Sequence, residues 1–149
     1  MIKRVRSAIL CDEVRTEDNK KLFYIGVYGH QVICSAKPAA LNLTLSLQIE
    51  VDEQESKVEI RTVGDGIKRS HNLTVPGGIS IVQIMIMVNV AVVEPRDLTV
   101  YVKIGEAWVE TGNWQIIFAE NVATMAERDA AAIIATRDQN RATSEDFAL

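Results

Sequence analysis

The stretch LNLTLSLQIEV, residues 41–51, decides the fold class. Its odd-numbered positions are all large aliphatic side chains, and its even-numbered positions are all polar or charged. Successive side chains of a β-strand point to opposite faces, so this alternation predicts a strand with one face in a core and the other in water. Such half-buried strands are typical of antiparallel sheets.

A second long stretch, ISIVQIMIMVNVAVV at 79–93, was checked as a membrane segment. It is shorter than the ~20 residues that a spanning helix needs, and Gln83 and Asn89 interrupt it. Its even positions from Val82 to Val92 are all aliphatic, whereas its odd positions are mixed. This period of two predicts a long strand with one buried and one partly covered face, and we predict no membrane partner.

The same alternation continues on both sides of these two stretches. Turn signals separate the runs at Gly64-Asp65-Gly66, Pro76-Gly77-Gly78, Glu94-Pro95 and Gly105-Glu106. The predicted strands cover 5–14, 22–28, 41–51, 58–62, 72–75, 79–93, 98–104, 107–110 and 113–119. We predict an all-β fold, an antiparallel β-sandwich of about eight strands and of immunoglobulin or C2 type, occupying residues 1–120.

The chain changes character after Glu120. Thr124 and Glu127 match a helix capping box, and the following residues are rich in Ala and Arg without Gly or Pro, so we predict a helix and tail at 121–149. Its apolar stripe is thin, so it packs on a partner, packs on its own sandwich or frays. We predict that the helix packs on a partner, either a second copy in a homo-oligomer or another protein. The predicted contact residues are Met125, Ala130, Ile133, Ile134 and Phe147.

Composition limits the class of protein. A chain of 149 residues suits one domain, and its net charge of −4 with a pI of about 5.2 argues against a nucleic-acid partner. No apolar signal segment follows the charged start, so we expect a cytoplasmic location (or a phage virion) and reduced thiols at Cys11 and Cys34. No metal-ligand spacing is present, and we predict no cofactor.

The opening of the chain resembles a known family. The run AILCD at 8–12, a charged turn with Asn19-Lys20-Lys21 and the run LFYIGVY at 22–28 are similar to the start of an uncharacterised family of small bacterial and phage proteins, a domain of unknown function. The resemblance implies an immunoglobulin- or C2-like β-sandwich over about the first 120 residues. It implies no catalytic residues, and the C-terminal helix departs from it.

The residues Cys11, Asp12 and His30 raise the question of a nucleophilic site. An enzyme could use Cys11 as nucleophile, His30 as base and Asp12 as the orienting acid. Cys11 and Asp12 are adjacent in a strand, however, and adjacent strand residues face opposite sides. We therefore interpret Cys11 as a small buried hydrophobic residue.

Two binding hypotheses were weighed against ordinary structural roles. Calcium could bind between loops of a C2-like sandwich, but the candidate carboxylates are scattered over turns and are better explained as solvated: Asp12, Asp18, Asp52, Asp65 and Asp97. Carbohydrate would need exposed aromatics; Trp108 and Trp114 flank the turn at Thr111-Gly112, but core packing is the commoner role of a strand Trp.

Two function classes remain. We predict a non-enzymatic interaction or structural module, one form of which is a bacterial or phage structural or assembly component. The alternative is a small-ligand or metal-binding sandwich, or an enzyme, that uses the loops at one end.

Overall fold

The computed structural model describes residues 1–64, 66–120, 129–137 and 139, and this part of the chain is mostly β-structure. The helical residues that follow the strands are 119–120, 129–137 and 139, and we call the group 129–137 α1. The all-β class and the C-terminal helix are confirmed. The ten strands are β1 Ile2–Cys11, β2 Glu13–Thr16, β3 Leu22–Ile25, β4 Gln31–Cys34, β5 Ala39–Val51, β6 Ser56–Val63, β7 Lys68–Val75, β8 Ile81–Val92, β9 Arg96–Ile104 and β10 Ala107–Phe118.

The ten strands differ from the nine predicted runs in three places. The predicted strand at 5–14 is divided into β1 and β2, because the chain bends at Asp12. β4 was missed altogether, since four residues are too few to show a period. The two predicted runs at 107–110 and 113–119 form one strand, β10, which has a register shift between Glu110 and Gly112.

The strands form three sheets. One has the order β1-β5-β8, the second has the order β4-β10-β9-β6-β7, and the third is the ribbon β2-β3. Every pairing is antiparallel except β4 with β10, which run parallel from Gln31↔Gln115 to Cys34↔Phe118. The expectation of purely antiparallel sheets is therefore wrong for this one pair.

A single buried cluster joins the two larger sheets. It includes residues of β5 and β8 from the first sheet, and of β6, β9 and β10 from the second. The alternation seen in the sequence decides which face is buried, and these aliphatic residues of β5, β8 and β9 are all buried: Leu43, Leu45, Leu47, Ile84, Ile86, Val88, Val100 and Val102. Burying a large aliphatic side chain contributes ~1.5–3 kcal/mol, so this cluster is the main source of stability.

The ribbon β2-β3 covers part of the face of β5 that the sequence predicted to be in water. Ser46, on that face, is only 1% exposed. The hydroxyls of Tyr24 and Ser46 lie 3.1 Å apart, and Gln83 Nε2 donates to Ser46 Oγ at 2.5 Å. The even face of β5 is therefore not uniformly solvated, because a segment distant in sequence packs on it.

Candidate functional site

The predicted contact residues of the C-terminal helix lie partly within the described chain. Ala130 is exposed, and Ile133 and Ile134 are 69% and 60% exposed. Within α1 the hydroxyl of Thr136 donates to the carbonyl of Ala132 at 3.0 Å. Met125 and Phe147, together with the predicted cap at Thr124 and Glu127, lie outside the described residues. No helix among the described residues is both long and apolar enough to cross a bilayer.

Two adjacent isoleucines in water form an unusual helix surface. Their side chains point about 100° apart on an α-helix, so together they make a broad apolar surface rather than a narrow seam. Ile133 also lines an open depression with Ala132, Thr136 and Arg137. This arrangement can receive an apolar partner surface.

Cys11, Asp12 and Tyr28 meet at the corner where β1 ends. Cys11 is fully buried, and its Sγ lies 3.6 Å from the carbonyl oxygen of Thr44. The next residue faces the other way: Asp12 Oδ1 accepts a hydrogen bond from the Tyr28 hydroxyl at 2.6 Å. The amide of Tyr28 donates to the carbonyl of Leu10 at 2.9 Å, which closes the corner.

Gly26 completes this corner from β3. Its φ is +66°, in the region that favours glycine, and an added Cβ would clash with the Asp12 carboxylate. The Asp12 amide donates to the carbonyls of Ile25 and Gly26 at 3.0 and 3.2 Å. Backbone and side chain of Asp12 are thus both used to fix the chain direction between β1 and the ribbon.

The electrostatics of the corner disfavour a nucleophilic role for Cys11. Burial raises the pKa of the Cys11 thiol, and the negative charge of Asp12 raises it further. The hydrogen bond to Asp12, with burial, raises the pKa of Tyr28 to about 12. A nucleophilic cysteine needs a lowered pKa, so the shift at Cys11 has the wrong sign.

His30, the hypothetical base of the Cys/His/acid set, lies at the surface, whereas Cys11 is fully buried. The side chain of His30 is exposed. The backbone carbonyl of His30 accepts a hydrogen bond from the backbone amide of Gln115 at 2.9 Å. Cys34 is buried at the end of β4, where burial raises its pKa, and both cysteines are free thiols. The geometry supports a structural interpretation of Cys11.

Two of the five candidate calcium-binding carboxylates, Asp12 and Asp52, have separate structural partners, and Asp18 and Asp97 are exposed. Asp52 binds the N-terminal ammonium at 2.6 Å and accepts a hydrogen bond from Ser56 at 3.0 Å, and the first of these contacts lowers its pKa. Asp12 is engaged by Tyr28, and Asp65 lies outside the described residues. No group of three or more His, Cys, Asp or Glu side chains in the described chain is placed to hold a metal ion.

The two tryptophans have different environments. Trp114 is 4% exposed in the core, as a strand Trp was expected to be. Trp108 is partly exposed on β10, and the Arg61 guanidinium lies 4.0 Å from its ring centre. The exposed part of this ring is therefore already used in a cation–π contact.

A groove of about 480 Å³ lies between β1 and the β9-β10 hairpin. Val5, Ala8 and Ile104 form apolar parts of its wall, and Arg4 and Glu110 are among its charged residues. Arg4 already donates to Glu50 at 2.8 Å. The groove lies along strands and not among the loops on which the ligand-binding alternative was based.

One exposed apolar surface was missed by the sequence analysis. We call it the β8 face, defined by Ile81, Met85 and Met87, which are 42%, 47% and 68% exposed. The odd positions of 79–93 were predicted to be partly covered, but the described structure leaves these three side chains open to solvent. The sequence contains an indication of this surface. Two methionines occupy odd positions of the strand, opposite the core-facing even positions, and the strand carries no charge.

Compared with known proteins, the chain matches no family model and no curated protein.

Proposed function

We propose that this protein is a non-enzymatic interaction or structural module whose C-terminal helix binds a protein partner or a second copy of the chain. The observation that carries the proposal is the exposure of Ile133 and Ile134 side by side on α1. Exposed apolar patches on soluble proteins commonly mark contact surfaces. The raised pKa of Cys11 and the separate partners of Asp12 and Asp52 support a non-enzymatic role.

The fold type belongs to the same proposal. We propose a β-sandwich of the immunoglobulin or C2 type, in which the sheets β1-β5-β8 and β4-β10-β9-β6-β7 enclose the common core. Support comes from the single buried cluster shared by the two sheets and from the chain path, which changes sheet between β5 and β6, between β7 and β8, and again between β8 and β9. Repeated crossing between two sheets is characteristic of such sandwiches.

The biological setting is proposed on the sequence alone. The opening strand with Ile9-Leu10-Cys11-Asp12 resembles a family of small bacterial and phage proteins, which suggests a structural or assembly component of a bacterium or phage. A cytoplasmic or virion location and a protein partner are proposed with it. The net charge of −4 supports the proposal that the partner is not a nucleic acid.

A ligand-binding role is the second candidate. The observation that favours it is the groove between β1 and the β9-β10 hairpin, which combines apolar wall residues with Arg4, Arg6 and Glu110. Small-molecule sites are concave and mostly apolar with a few polar groups. Groove variants at Arg6 and Val109, compared with wild type in a thermal-shift screen of small anionic ligands, test this candidate.

The main proposal is tested by adding charge to the helix. The double variant Ile133→Lys, Ile134→Lys keeps good helix formers but makes the apolar surface cationic. The matched control is Ala131→Lys, Ala135→Lys, which adds the same charge to the same helix at exposed positions outside the depression lined by Ile133. We expect the isoleucine variant, and not the control, to lose assembly mass in sedimentation while the strand signal in circular dichroism is unchanged.

Truncation after Glu120 gives a second measurement. If the truncated chain and both lysine variants keep the assembly state and melting temperature of the wild type, and capture of partners is also unchanged, the helix is a passive tail and the proposal is wrong.

A further inference from the structure

Strand β8 is a long, unprotected edge. It has 12 residues and, within the described chain, pairs along one side only, with β5. That pairing runs from Ala39↔Val92 to Glu50↔Ile81 without a register shift. Its other side therefore presents a straight row of backbone donors and acceptors, which is a template for another strand.

The other edges of the two large sheets carry protective features that β8 lacks. β1 has Lys3, Arg4 and Arg6 and two register shifts, and β7 begins with Lys68 and Arg69. β4 has only four residues. Charges, bulges and shortness are the usual devices that prevent edge pairing. β8 has none of these devices. It is 12 residues long and has no register shift against β5, and residues 79–93 contain no charged residue, proline or glycine.

The side chains on the non-core face of β8, of which Gln83 is half-buried against Ser46, are self-complementary in the antiparallel sense. Reading along the outer face, the order is apolar, amide, methionine, methionine, amide, apolar: Ile81, Gln83, Met85, Met87, Asn89 and Ala91. A two-fold axis through Ile86 places Met85 opposite Met87 and Gln83 opposite Asn89. The same axis places Ile84 opposite Val88 on the core side.

We propose that β8 pairs antiparallel with β8 of a second copy, about a two-fold axis at Ile86. The pairing extends the three-stranded sheet β1-β5-β8 into a continuous sheet of twice that width. It brings the exposed methionines of the two copies side by side and satisfies the open backbone edge. A register shift of one residue would place core-facing residues of one copy opposite outward-facing residues of the other. The alternation along β8 therefore allows only register shifts by an even number of residues.

The self-complementary order of the side chains points to a second copy as the partner, and the lack of charge on β8 permits it. Identical strands place like charges opposite or diagonal to one another, and such pairs destabilise a sheet. β8 is the long edge on which self-pairing meets no such repulsion, whereas β1 and β7 would bring lysines and arginines together. This interface is separate from the helix surface of the proposed function and stands or fails independently of it.

The test places opposite charges at the centre of the strand in the full chain. Met87→Lys and Met87→Glu are each expected to weaken dimerisation at least about tenfold in sedimentation equilibrium, because like charges then meet near the axis. An equimolar mixture of the two variants should regain the dimer as a heterodimer. Ile33→Lys is the matched control, since Ile33 is 54% exposed on β4 of the other sheet and should leave the dimer unchanged.

Several outcomes overturn the proposal. Wild-type protein that stays monomeric up to about 1 mM has no such interface. An unchanged dimer in both Met87 variants, or loss of the dimer only in the Ile133→Lys, Ile134→Lys variant, shows that assembly does not use β8. If the Met87 variants fail to fold, hydrogen exchange of the wild type decides: β8 amides must gain protection as the protein concentration rises, and concentration-independent exchange contradicts the pairing.

Discussion

Replacement of Gly26 by alanine tests whether the Asp12 corner is a structural device. Gly26 has a φ of +66°, and a Cβ there would clash with the carboxylate of Asp12. A non-glycine residue in this region costs about 1–2 kcal/mol. Displacing Asp12 also breaks its hydrogen bond from Tyr28, which contributes about 1 kcal/mol because the pair is exposed. We expect the free energy of unfolding to fall by roughly 2–3 kcal/mol.

The control for this variant is Gly29→Ala. Gly29 has no positive φ, and nothing lies within 4 Å of a Cβ built on it. Both substitutions restrict the unfolded chain equally, so their difference in urea denaturation isolates the folded-state cost. We expect Gly29→Ala to change stability by no more than about 0.5 kcal/mol.

A double-mutant cycle identifies the mechanism. In a Tyr28→Phe background the hydrogen bond to Asp12 is already absent, so Gly26→Ala should cost about 1 kcal/mol less than in the wild type. Equal costs for Gly26→Ala and Gly29→Ala in the wild type would refute the structural interpretation of the corner. An equal cost of Gly26→Ala in both backgrounds would show that the cost does not include loss of the hydrogen bond between Tyr28 and Asp12.

Three further predictions concern the core and the buried titratable groups. Leu45→Ala should lower the free energy of unfolding by ~2–5 kcal/mol in denaturant titrations, whereas Ile33→Ala, at an exposed strand position, should change it by less than about 1 kcal/mol. Cys11 and Cys34 should react with a thiol reagent no faster than the protein unfolds, since burial raises both pKa values; rapid labelling of the folded protein would contradict this. Burial lowers the pKa of His71 from its usual 6.5, so its contribution to stability is complete above pH 6.5 and is lost as the pH falls below it. His71→Leu should reduce the loss of stability between pH 7.5 and 5, and an unchanged pH profile would show that His71 is not the titrating group.

The sequence predicted those parts of the fold that depend on period-two alternation. β5 and β8 were found at the right places and with the right buried face, because a long strand with one face in the core repeats its pattern many times. The short strand β4 could not be found, since its parallel partner β10 lies more than 80 positions away and its position comes from that tertiary pairing. The burial of Ser46 was unpredictable for the same reason, as Tyr24 and Gln83 reach it from other strands.

The candidate surfaces were predicted unevenly. Ile133 and Ile134 could be selected as contact residues because a thin apolar stripe is visible in a helical sequence. The β8 face was not predicted as a contact surface. Alternation identifies which face of a strand is buried, but it does not show whether the opposite face is covered. Which strand lies at an edge depends on sheet order, and sheet order is a property of the folded chain.

The position of β10 has a consequence for the order in which the protein can mature on the ribosome. Among the described strands, β10 is the last to be synthesised, yet it lies between β4 and β9 inside its sheet. Until Phe118 has been made, β4 lacks its parallel partner and β9 is paired only with β6. We therefore expect this sheet to be completed only after all ten strands have been translated, and a nascent chain stalled before β10 should show the protease sensitivity of an incomplete domain.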